Sequence, residues 1–425
     1  MRRQLRGFAF TVITTCIILG GYAAEMPVPG DSIAAQEGLR NDISASLVIC
    51  GRGSRLISSF GHCSIHMSCP SAGLDNFYTY LIEASSANVR RFLMEDVCKG
   101  LFVVQKWDEF SKDYVRQNRP VKEYPLNLTT DEVRRLWMSL DRETFHPDSR
   151  TYSFLHAQCT SICADIIRGS LLGERMEYGD LPPALTGTLR DYAAYAVRDY
   201  PWYNLCFQSL LGAEGEQQGD LWEKLAPMDI VTVWSGASIV DAAGNRRPVL
   251  GDEHVLFAGS GVSGEELEVR VNDNDNDNEN PNPSPLTPNL FFAVLLAVTL
   301  LMTLAENRLG VRGERLVLAY DALLLCLQTL LGLFFTGLLL FSKAPWMAGN
   351  LLPIVFNPTP LVVWLCLRRK KAIRWARAAY AAVLAAMMVA AAFVPQLGWA
   401  HVLLFASFLV RVIAHILKSV KTPQT

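Results

Sequence analysis

The sequence predicts an exported α+β domain followed by a C-terminal bundle of about five transmembrane α-helices. Half of the 425 residues are hydrophobic, and the excess lies at the extreme N-terminus and in the last third of the chain. This distribution is typical of a membrane-associated protein with a soluble middle. In that middle region, short β-strand patterns and helical patterns are mixed, which favours the α+β class.

Residues 1–24 are predicted to be a signal peptide. Arg2, Arg3 and Arg6 form a positively charged region, and the apolar segment Phe8 to Leu19 follows it. Small residues then precede Glu25, as expected at a cleavage site. The alternative is an uncleaved membrane anchor. In both cases the chain from about residue 25 onward is exported.

Residues 25–271 are expected to form the exported domain. Its predicted strands are rich in β-branched and aromatic residues and cover 45–50, 55–65, 76–82, 101–104, 121–126, 230–234 and 247–250. Its predicted helices show apolar residues at helical spacing and cover 88–99, 107–118, a segment starting near 129, a segment containing 159, 189–197 and 207–211. Thr129 or Thr130, followed by acidic residues, is typical of a helix N-terminus.

Residues 272–288 are predicted to be a linker. Asn and Asp alternate through its first part, and four prolines follow between residues 281 and 288. Such a segment cannot bury enough apolar surface to fold by itself.

Residues 289–418 are predicted to be the transmembrane domain. Five apolar runs cover 290–305, 316–341, 350–367, 373–393 and 397–417, and a spanning helix needs about 20 residues. Basic residues follow the first, third and fifth runs, so these ends are cytoplasmic by the positive-inside rule, and the first run starts on the exported side. Away from the cytoplasmic ends, Asp321 and His401 are among few ionisable residues, which favours anchoring or lipid access over transport.

The composition also bears on partners and cofactors. The net charge is −2, and no basic stripe with interleaved aromatic residues occurs, so a nucleic-acid partner is not predicted. No pair of CxxC motifs and no CxxC with HxxxH occurs, so neither a metal site nor a cofactor is predicted. Seven cysteines lie in the exported domain, at positions 50, 63, 69, 98, 159, 163 and 206. Disulfides are expected there, but an odd number leaves at least one thiol unpaired within the chain.

The predicted site combines a histidine on a strand with a cysteine at the start of a helix. His62, Ser64 and His66 alternate with apolar residues, so they should share one face of a strand. Cys159 falls in the first turn of a helical pattern, where free amides and the helix dipole favour a thiolate. A thiol nucleophile needs such activation together with an imidazole base and oxyanion donors.

Structural readings of the same residues compete with this prediction. A buried cysteine is usually an inert hydrophobic residue, and Cys159 and Cys163 can also belong to the core or to disulfides. His62 can also be a histidine of the core whose ring nitrogens are hydrogen-bonded and have no chemical role. His156 and His254 are competing histidines, the latter more typical of a solvated strand entry than of a metal ligand.

Several motifs in this order resemble the Lnb N-terminal periplasmic domain family. They are Phe60-Gly61-His62 with a polar residue at 66, Asp75 to Tyr80, Tyr114 with Asn118 to Val121, Leu126 to Thr129, Asp148 to Tyr152, Gln158 to Thr160, Pro201-Trp202 and Leu210 to Gly212. In the membrane part, Asn350 to Pro353 and Asn357-Pro358 resemble the same family's pattern. The likeness covers most of the mature chain.

The resemblance implies a fold and a set of residue roles. The order of a histidine first and a cysteine later is similar to that of permuted papain-like thiol enzymes, so it implies a permuted papain-like domain. Residue by residue, His62 would be the base, Cys159 the nucleophile and His66 the third polar member. A second set is expected to bind an oxyanion or the substrate: Gln158, Thr160 and Arg119.

This sequence departs from the family pattern beside the predicted chemistry. His66 stands where the family has arginine, and Ala157-Gln158 stands where the family has Asp-Asn. These changes fit either an altered substrate or a member that has lost activity.

The sequence thus leads to one functional hypothesis and one alternative. The hypothesis is a thiol hydrolase or acyltransferase, anchored in the bacterial inner membrane, whose periplasmic domain acts on acyl or amide bonds of a lipid or an envelope peptide. The alternative is a non-catalytic envelope protein that assists folding or assembly, with structural cysteines and histidines. The lipid bilayer is a partner in both.

Overall fold

The computed structural model describes two compact units. The described residues are 42–53, 57–82, 85–146, 151–153, 157–181, 183–218, 225–259, 286–306, 308, 310–366 and 370–421. The first unit contains the described residues up to Tyr192 and those from Gln218 to Gly259, and the second contains Ala193–Gln217 and those from Leu286 onward. The predicted signal peptide and most of the predicted linker lie outside the described residues.

A seven-stranded antiparallel sheet is the centre of the first unit. Its strands are β1 (Ser44–Cys50), β2 (His62–Cys69), β3 (Leu74–Ile82), β4 (Cys98–Gln105), β5 (Val121–Pro125), β6 (Thr151–Tyr152) and β10 (His254–Phe257). They are arranged in the order β10-β5-β1-β2-β3-β4-β6. A separate three-stranded sheet has the order β7-β8-β9 and consists of β7 (Arg175–Glu177), β8 (Ser238–Val240) and β9 (Arg246–Pro248).

Helices accompany the sheet, so the predicted α+β class is confirmed. In chain order they are α1 (Ser86–Glu95), α2 (Trp107–Arg116), α3 (Thr130–Phe145), α4 (Cys159–Ser170), α5 (Pro183–Thr186), α6 (Leu189–Ala196), α7 (Pro201–Leu210) and α8 (Pro227–Ser235). Of these, α7 and residues 193–196 of α6 belong to the second unit.

The two faces of the large sheet contact different helices. On one face, Val48, Cys50 and Phe77 pack with Phe110 and Tyr114 of α2. The opposite face meets α3 and α4, because the Tyr78 hydroxyl donates to Asp141 on α3 at 3.1 Å and the Cys163 thiol on α4 lies 3.8 Å from the Cys63 carbonyl oxygen. Successive residues of a strand point to opposite faces, so the α2 face is also the face of His62.

The start of β2 differs from the prediction. A strand was expected over 55–65, but a 3-10 turn occupies Ile57–Phe60 and β2 begins at His62. Gly61 has φ +82°, and a Cβ at this position would meet the Cys50 carbonyl oxygen at 2.8 Å. The chain therefore needs glycine here to turn into β2 beside the end of β1.

The prediction of a strand over 230–234 is wrong, because these residues form part of α8. Pro227 occupies the first turn of α8, where its fixed φ and missing N–H favour a helix start. Ile230, Val233 and Trp234 are buried at helical spacing. Tertiary packing of this apolar stripe outweighs the β propensity of the branched residues.

The predicted helix start near residue 129 is confirmed. Thr129 is the N-cap of α3 and forms a capping box with Glu132. Glu132 is 1 % exposed and also accepts a hydrogen bond from Arg247 at 2.7 Å. This contact joins α3 to β9 of the small sheet.

The second unit contains the apolar helices. They are α9 (Pro288–Glu306), α10 (Gly310–Phe341), α11 (Leu352–Val355), α12 (Thr359–Cys366), α13 (Lys370–Ala390) and α14 (Trp399–Lys421). Within the described residues, four of them, namely α9, α10, α13 and α14, are long and apolar enough to cross a membrane. The third apolar run of the sequence forms the short pair α11 and α12.

The break between α11 and α12 is held by polar side chains. The Gln328 amide on α10 donates to the Val355 carbonyl at 2.8 Å, and the Asn357 amide donates to the Ile354 carbonyl at 2.9 Å. Pro358 follows and has no N–H to continue the helix. These bonds satisfy carbonyl groups that would otherwise be unpaired in an apolar environment.

Within the second unit, the segment Ala193–Gln217 packs with the membrane helices. The Asn350 amide donates to the carbonyls of Ser209 and Leu210 at 2.8 and 2.9 Å, where α7 ends. The side chain of His401 lies 2.9 Å from the Ser209 hydroxyl. These contacts give Asn350, in the first family-like membrane motif, a structural role as a cap for α7.

We expect Thr129→Ala to lower the free energy of unfolding of the periplasmic domain by about 1 kcal/mol, because an N-cap hydroxyl is lost. Thermal unfolding followed by circular dichroism measures this change. Thr130→Ala is the matched control: it removes a hydroxyl one residue later, within the helix, and should be nearly neutral. Equal effects of the two changes would contradict the capping role.

Candidate functional site

The candidate site lies where β1 ends and β2 begins. Cys50 is the last residue of β1 and pairs directly with His62, the first residue of β2. Cys159 is the first residue of α4, as predicted from its helical pattern. Cys50 and Tyr114 both lie on the α2 face, yet both interact electrostatically with Cys159. The strand ends, the α2 face and the start of α4 therefore meet at one corner of the domain.

His62 is held by a hydroxyl relay on the α2 face. Its Nε2 lies 2.5 Å from the Thr79 hydroxyl oxygen, which also accepts a hydrogen bond from Ser64 at 3.0 Å. The predicted common face of His62 and Ser64 is confirmed by this shared partner on β3. The Nδ1 atom makes no hydrogen bond with any residue that the structure describes. The relay thus orients the ring and leaves one nitrogen available.

The imidazole of His62 is neutral at physiological pH. Burial lowers its pKa to about 4, and the nearby positive charge of Arg119 acts in the same direction. A neutral imidazole has one unprotonated nitrogen and can accept a proton.

Cys159 is a neutral thiol in the resting protein. Its side chain is 6 % exposed. Burial, reinforced by the neighbouring Cys163, raises the pKa of the Cys159 thiol to about 11. The backbone N–H of Cys63 and the Thr160 hydroxyl oppose this rise. Burial therefore outweighs the helix N-terminus that was expected to lower the pKa.

His62 begins β2 and Cys159 begins α4, and no hydrogen bond joins the two side chains in the part of the chain that the structure describes. Their connection is through Cys63, which follows His62 on β2 and whose amide interacts with the Cys159 sulfur. The Cys159 thiol itself lies 4.0 Å from the Thr160 hydroxyl oxygen.

Two tyrosines complete the surroundings of the thiol. The Tyr114 hydroxyl interacts with the Cys50 thiol, and the Tyr152 hydroxyl interacts with the backbone N–H of Cys159. Burial raises the pKa of both tyrosines well above the usual value. Both stay protonated at neutral pH and can act as hydrogen-bond donors.

Arg119 is a buried cation beside His62. It is 7 % exposed, its Nε donates to the Gly51 carbonyl at 2.8 Å, and its guanidinium lies 4.8 Å from the centre of the Tyr114 ring. A weak bond to the Gln117 side chain at 3.4 Å is its other polar contact. Within the described residues no carboxylate pairs with this guanidinium.

Gln158 and Thr160 flank Cys159 and are both buried. The Gln158 side chain donates to the Leu225 carbonyl at 2.7 Å, so one of its amide protons anchors the chain ahead of α8. The backbone N–H of Gln158 donates to Ser161 at 2.9 Å. These bonds fix the start of α4 and thereby the position of the thiol. The oxyanion role of Gln158 and Thr160 stays a prediction.

His66 lies on the same strand face but four residues further along β2, roughly 13 Å from His62 at the usual strand rise. Its Nδ1 lies 2.6 Å from Glu123 and its Nε2 lies 2.7 Å from Asp75. The ring also stacks on Phe77 with centroids 4.3 Å apart. The structure therefore engages both ring nitrogens of His66 away from His62, and Thr79 occupies the orienting position that the resemblance implied for His66.

The contacts of His66 favour its protonated form. Burial alone would lower its pKa, but hydrogen bonds to Glu123 and Asp75 outweigh burial and raise it. Burial alone would raise the pKa of Glu123, but the hydrogen bond to His66 outweighs burial and lowers it. A doubly bonded imidazolium presents two N–H donors to two carboxylates. It can thus replace the arginine expected at this position.

The other predicted features of the exported domain have clear positions. Cysteines 50, 63, 69, 98, 159, 163 and 206 are all free thiols. The described residues contain no group of three or more His, Cys, Asp or Glu side chains placed to hold a metal ion. His254 is the first residue of β10, which agrees with a strand entry. His156 lies outside the described residues.

Sequence reasoning missed Thr79, Tyr114 and Tyr152 as members of the site. All three lie within the motifs that resemble the family, but no chemical pattern distinguishes them as site residues. Thr79 alternates with aromatic residues along β3. That the Thr79 side chain faces His62 could have been inferred only from the pairing of β2 with β3.

Two family models match the chain. The model of the Lnb N-terminal periplasmic domain matches residues 39–196, and the model of the Lnb transmembrane domain matches residues 279–423. Together these ranges include most of the chain. The comparison with curated proteins and the comparison with solved structures gave no match. The likeness to papain-like enzymes therefore stays a prediction.

We expect His66→Gln to destabilise the periplasmic domain by about 2 kcal/mol at pH 6, because charge-assisted hydrogen bonds to two carboxylates are lost. A raised pKa in the folded state means that His66 stabilises the fold fully below its unfolded pKa. This stabilisation is lost as the pH rises through the raised value. The difference in melting temperature between wild type and variant should therefore shrink between pH 6 and pH 9. A constant difference would contradict a charged His66, and His66→Arg should be closer to wild type than His66→Gln.

Proposed function

This chain belongs to the Lnb family of membrane-anchored proteins with a periplasmic N-terminal domain, and we propose that its periplasmic domain is a thiol hydrolase or acyltransferase. The proposal is supported by an oriented neutral histidine at the start of β2 and by a cysteine that opens α4 and whose sulfur interacts with the backbone N–H of Cys63, the residue after that histidine. The substrate class is an acyl ester or amide of a lipid or an envelope peptide. Because the domain is attached to membrane helices, such substrates are available at the bilayer surface.

The first step is a proton transfer that accompanies nucleophilic attack. The free nitrogen of His62 takes the proton from the Cys159 thiol as the sulfur forms a bond to the acyl carbonyl carbon. The carbonyl π electrons move to oxygen and give an oxyanion. Thr79 keeps the ring in place through Nε2, which lies 2.5 Å from its hydroxyl oxygen.

The second step releases the leaving group. The oxyanion collapses, the bond to the alcohol or amine breaks, and the imidazolium of His62 gives its proton to the departing oxygen or nitrogen. A thioester on Cys159 results. Water then gives hydrolysis, whereas a second alcohol or amine gives acyl transfer, with His62 again as the base.

A neutral resting pair fits this mechanism. A pKa of about 4 for His62 and about 11 for Cys159 means that the thiolate is not formed in advance. Proton transfer is then coupled to substrate binding, as in serine enzymes that use a neutral histidine. This arrangement protects a buried thiol in an oxidising compartment, since the thiolate is the reactive form.

The burial of Arg119 without a carboxylate partner in the described part of the domain supports a role for this residue in substrate binding. A buried charge normally has a partner of opposite sign, and Arg119 has no carboxylate partner in the described part of the domain. Its position beside His62 suits a carboxylate or phosphate group of the substrate, or the developing oxyanion. We propose this role together with those of Gln158 and Thr160.

The test is the formation and turnover of a thioester by the full-length protein in detergent. Vesicles of phospholipid and an acylated peptide serve as substrates, and intact mass spectrometry measures acylation of Cys159. We expect Cys159→Ala to abolish acylation and turnover, and His62→Gln to reduce the rate by about a hundredfold to ten-thousandfold. Thr79→Val should reduce it by up to about a hundredfold through loss of orientation.

Cys206→Ala is the matched control, because Cys206 is a free, exposed thiol in the second unit. It should leave turnover unchanged. If Cys159→Ala retains turnover, or if Cys159 forms a stable disulfide in the native protein, the mechanism is wrong. If Cys159→Ser keeps full function in cells while disruption of the membrane helices abolishes it, the protein is a non-catalytic assembly factor.

We also expect Cys159 to react slowly with iodoacetamide at pH 7. A pKa of about 11 gives a thiolate fraction a few hundredfold lower than that of free cysteine, and the side chain is nearly buried. Peptide mass spectrometry of the labelled native protein measures the rate. Labelling faster than free cysteine would show a preformed thiolate and contradict the coupled proton transfer.

A further inference from the structure

The cytoplasmic end of α13 carries a dense positive charge. The periplasmic position of the N-terminal domain puts the start of α9 on the periplasmic side. Counting the runs from there, α13 begins in the cytoplasm, in agreement with the positive-inside rule. The first eight residues of α13, Lys370 to Arg377, contain four basic residues and no acidic residue.

Two arginines of this segment lack close polar contacts in the described part of the chain. Arg374 and Arg377 are neither buried nor fully exposed, and they lie three residues apart on one side of α13. Neither makes a hydrogen bond or an ion pair with any described residue. Guanidinium groups that are partly withdrawn from water need acceptors from another source.

The acidic groups at the same membrane level already have partners. Asp321 binds the Arg411 guanidinium at 2.6 and 2.8 Å and lies 2.9 Å from His415. Glu306 contacts Arg411 at 3.1 Å and Lys418 at 3.0 Å. These pairs hold α9, α10 and α14 together. Asp321 also interacts electrostatically with Arg377, but its hydrogen-bond and ion-pair contacts go to Arg411 and His415.

Tyr380 extends the polar strip one turn deeper. Its hydroxyl oxygen is buried and makes no hydrogen bond with the described residues. Tyr380 lies three residues after Arg377, and Leu384 and Met387 follow at helical spacing as buried residues of the same side. Among the described residues, one side of α13 thus changes from two guanidinium groups without hydrogen-bond partners, through a hydroxyl without one, to apolar packing. Trp375, beside the arginines, is 70 % exposed, as is common for tryptophan at a membrane interface.

We propose that Arg374, Arg377 and Tyr380 form a binding site for the headgroup of an anionic phospholipid in the cytoplasmic leaflet. Guanidinium groups bind phosphate oxygens in a bidentate manner, and the tyrosine hydroxyl supplies a further donor. The acyl chains of such a lipid would lie along the apolar part of α13. Basic clusters next to the cytoplasmic ends of membrane helices are suited to anionic headgroups. This site is independent of the thiol chemistry proposed for the periplasmic domain.

The experiment measures lipid binding by the full-length protein. Native mass spectrometry from detergent solution is used to titrate phosphatidylglycerol, and phosphatidylcholine serves as the zwitterionic comparison. We expect the wild type to bind phosphatidylglycerol more tightly than phosphatidylcholine. Each of R374Q and R377Q should weaken phosphatidylglycerol binding about fivefold, and the double variant about thirtyfold. Y380F should weaken it by a smaller factor.

K343Q is the matched control, because Lys343 is an exposed basic residue on the periplasmic side of α10. It should bind phosphatidylglycerol as the wild type does. If the double variant fails to fold, the single variants and Y380F, checked by size-exclusion chromatography, decide the outcome. Equal affinity for the two lipids, or unchanged binding in the arginine variants, would overturn the proposal. Displacement of phosphatidylglycerol by equimolar inorganic phosphate would assign the site to a soluble anion and would also overturn it.

Discussion

The candidate site depends on the antiparallel pairing of β1 with β2. This pairing puts Cys50 opposite His62 and puts His62, Ser64 and His66 on the α2 face. A shift of register by one residue would turn these side chains to the α3 and α4 face. The bonds of His66 to Glu123 on β5 and to Asp75 on β3 run across the sheet on both sides of β2. They hold the register at one end of the strand, while Gly61 fixes the turn at the other.

The same burial that orders the corner also sets its resting charge. Withdrawal from water disfavours both the imidazolium of His62 and the thiolate of Cys159. The neutral pair is therefore the stable state, and the positive charge of Arg119 further disfavours protonation of His62. The proposed mechanism therefore requires a substrate that compensates the charge developed by proton transfer. An anionic or oxyanion-forming substrate near Arg119 would do so.

Much of the fold was predictable from local sequence patterns. Alternation placed His62 and Ser64 on one strand face, and Thr129 marked the start of α3. Both features depend on residues within a few positions of each other. The segment 230–234 was misread because branched residues favour strands locally, whereas Pro227 and the surrounding core impose a helix.

The candidate site was predictable only in part, because its members meet through tertiary structure. Cys159 carried a local signal, the start of a helix. Thr79 and Tyr114 carried none, since their roles arise from strand pairing and from the packing of α2 on the sheet. The engagement of His66 by Glu123 depends on β5, which is 57 residues away in the chain. The raised pKa of Cys159 follows from burial that no sequence pattern reveals.

The arginines of the protein show how the surroundings of a charge indicate its use. Arg411 is 4 % exposed and is neutralised by Asp321 and Glu306, so it acts as a structural link between helices. Arg119 is almost as buried, but in the described part of the chain its contacts are with a carbonyl, an amide and an aromatic ring. Because an unneutralised buried guanidinium is costly, the fold keeps Arg119 at a net expense in stability unless an anion binds there. That cost is reasonable at a site for a charged ligand and hard to explain in a purely structural core, and this difference favours a binding role for the corner around His62.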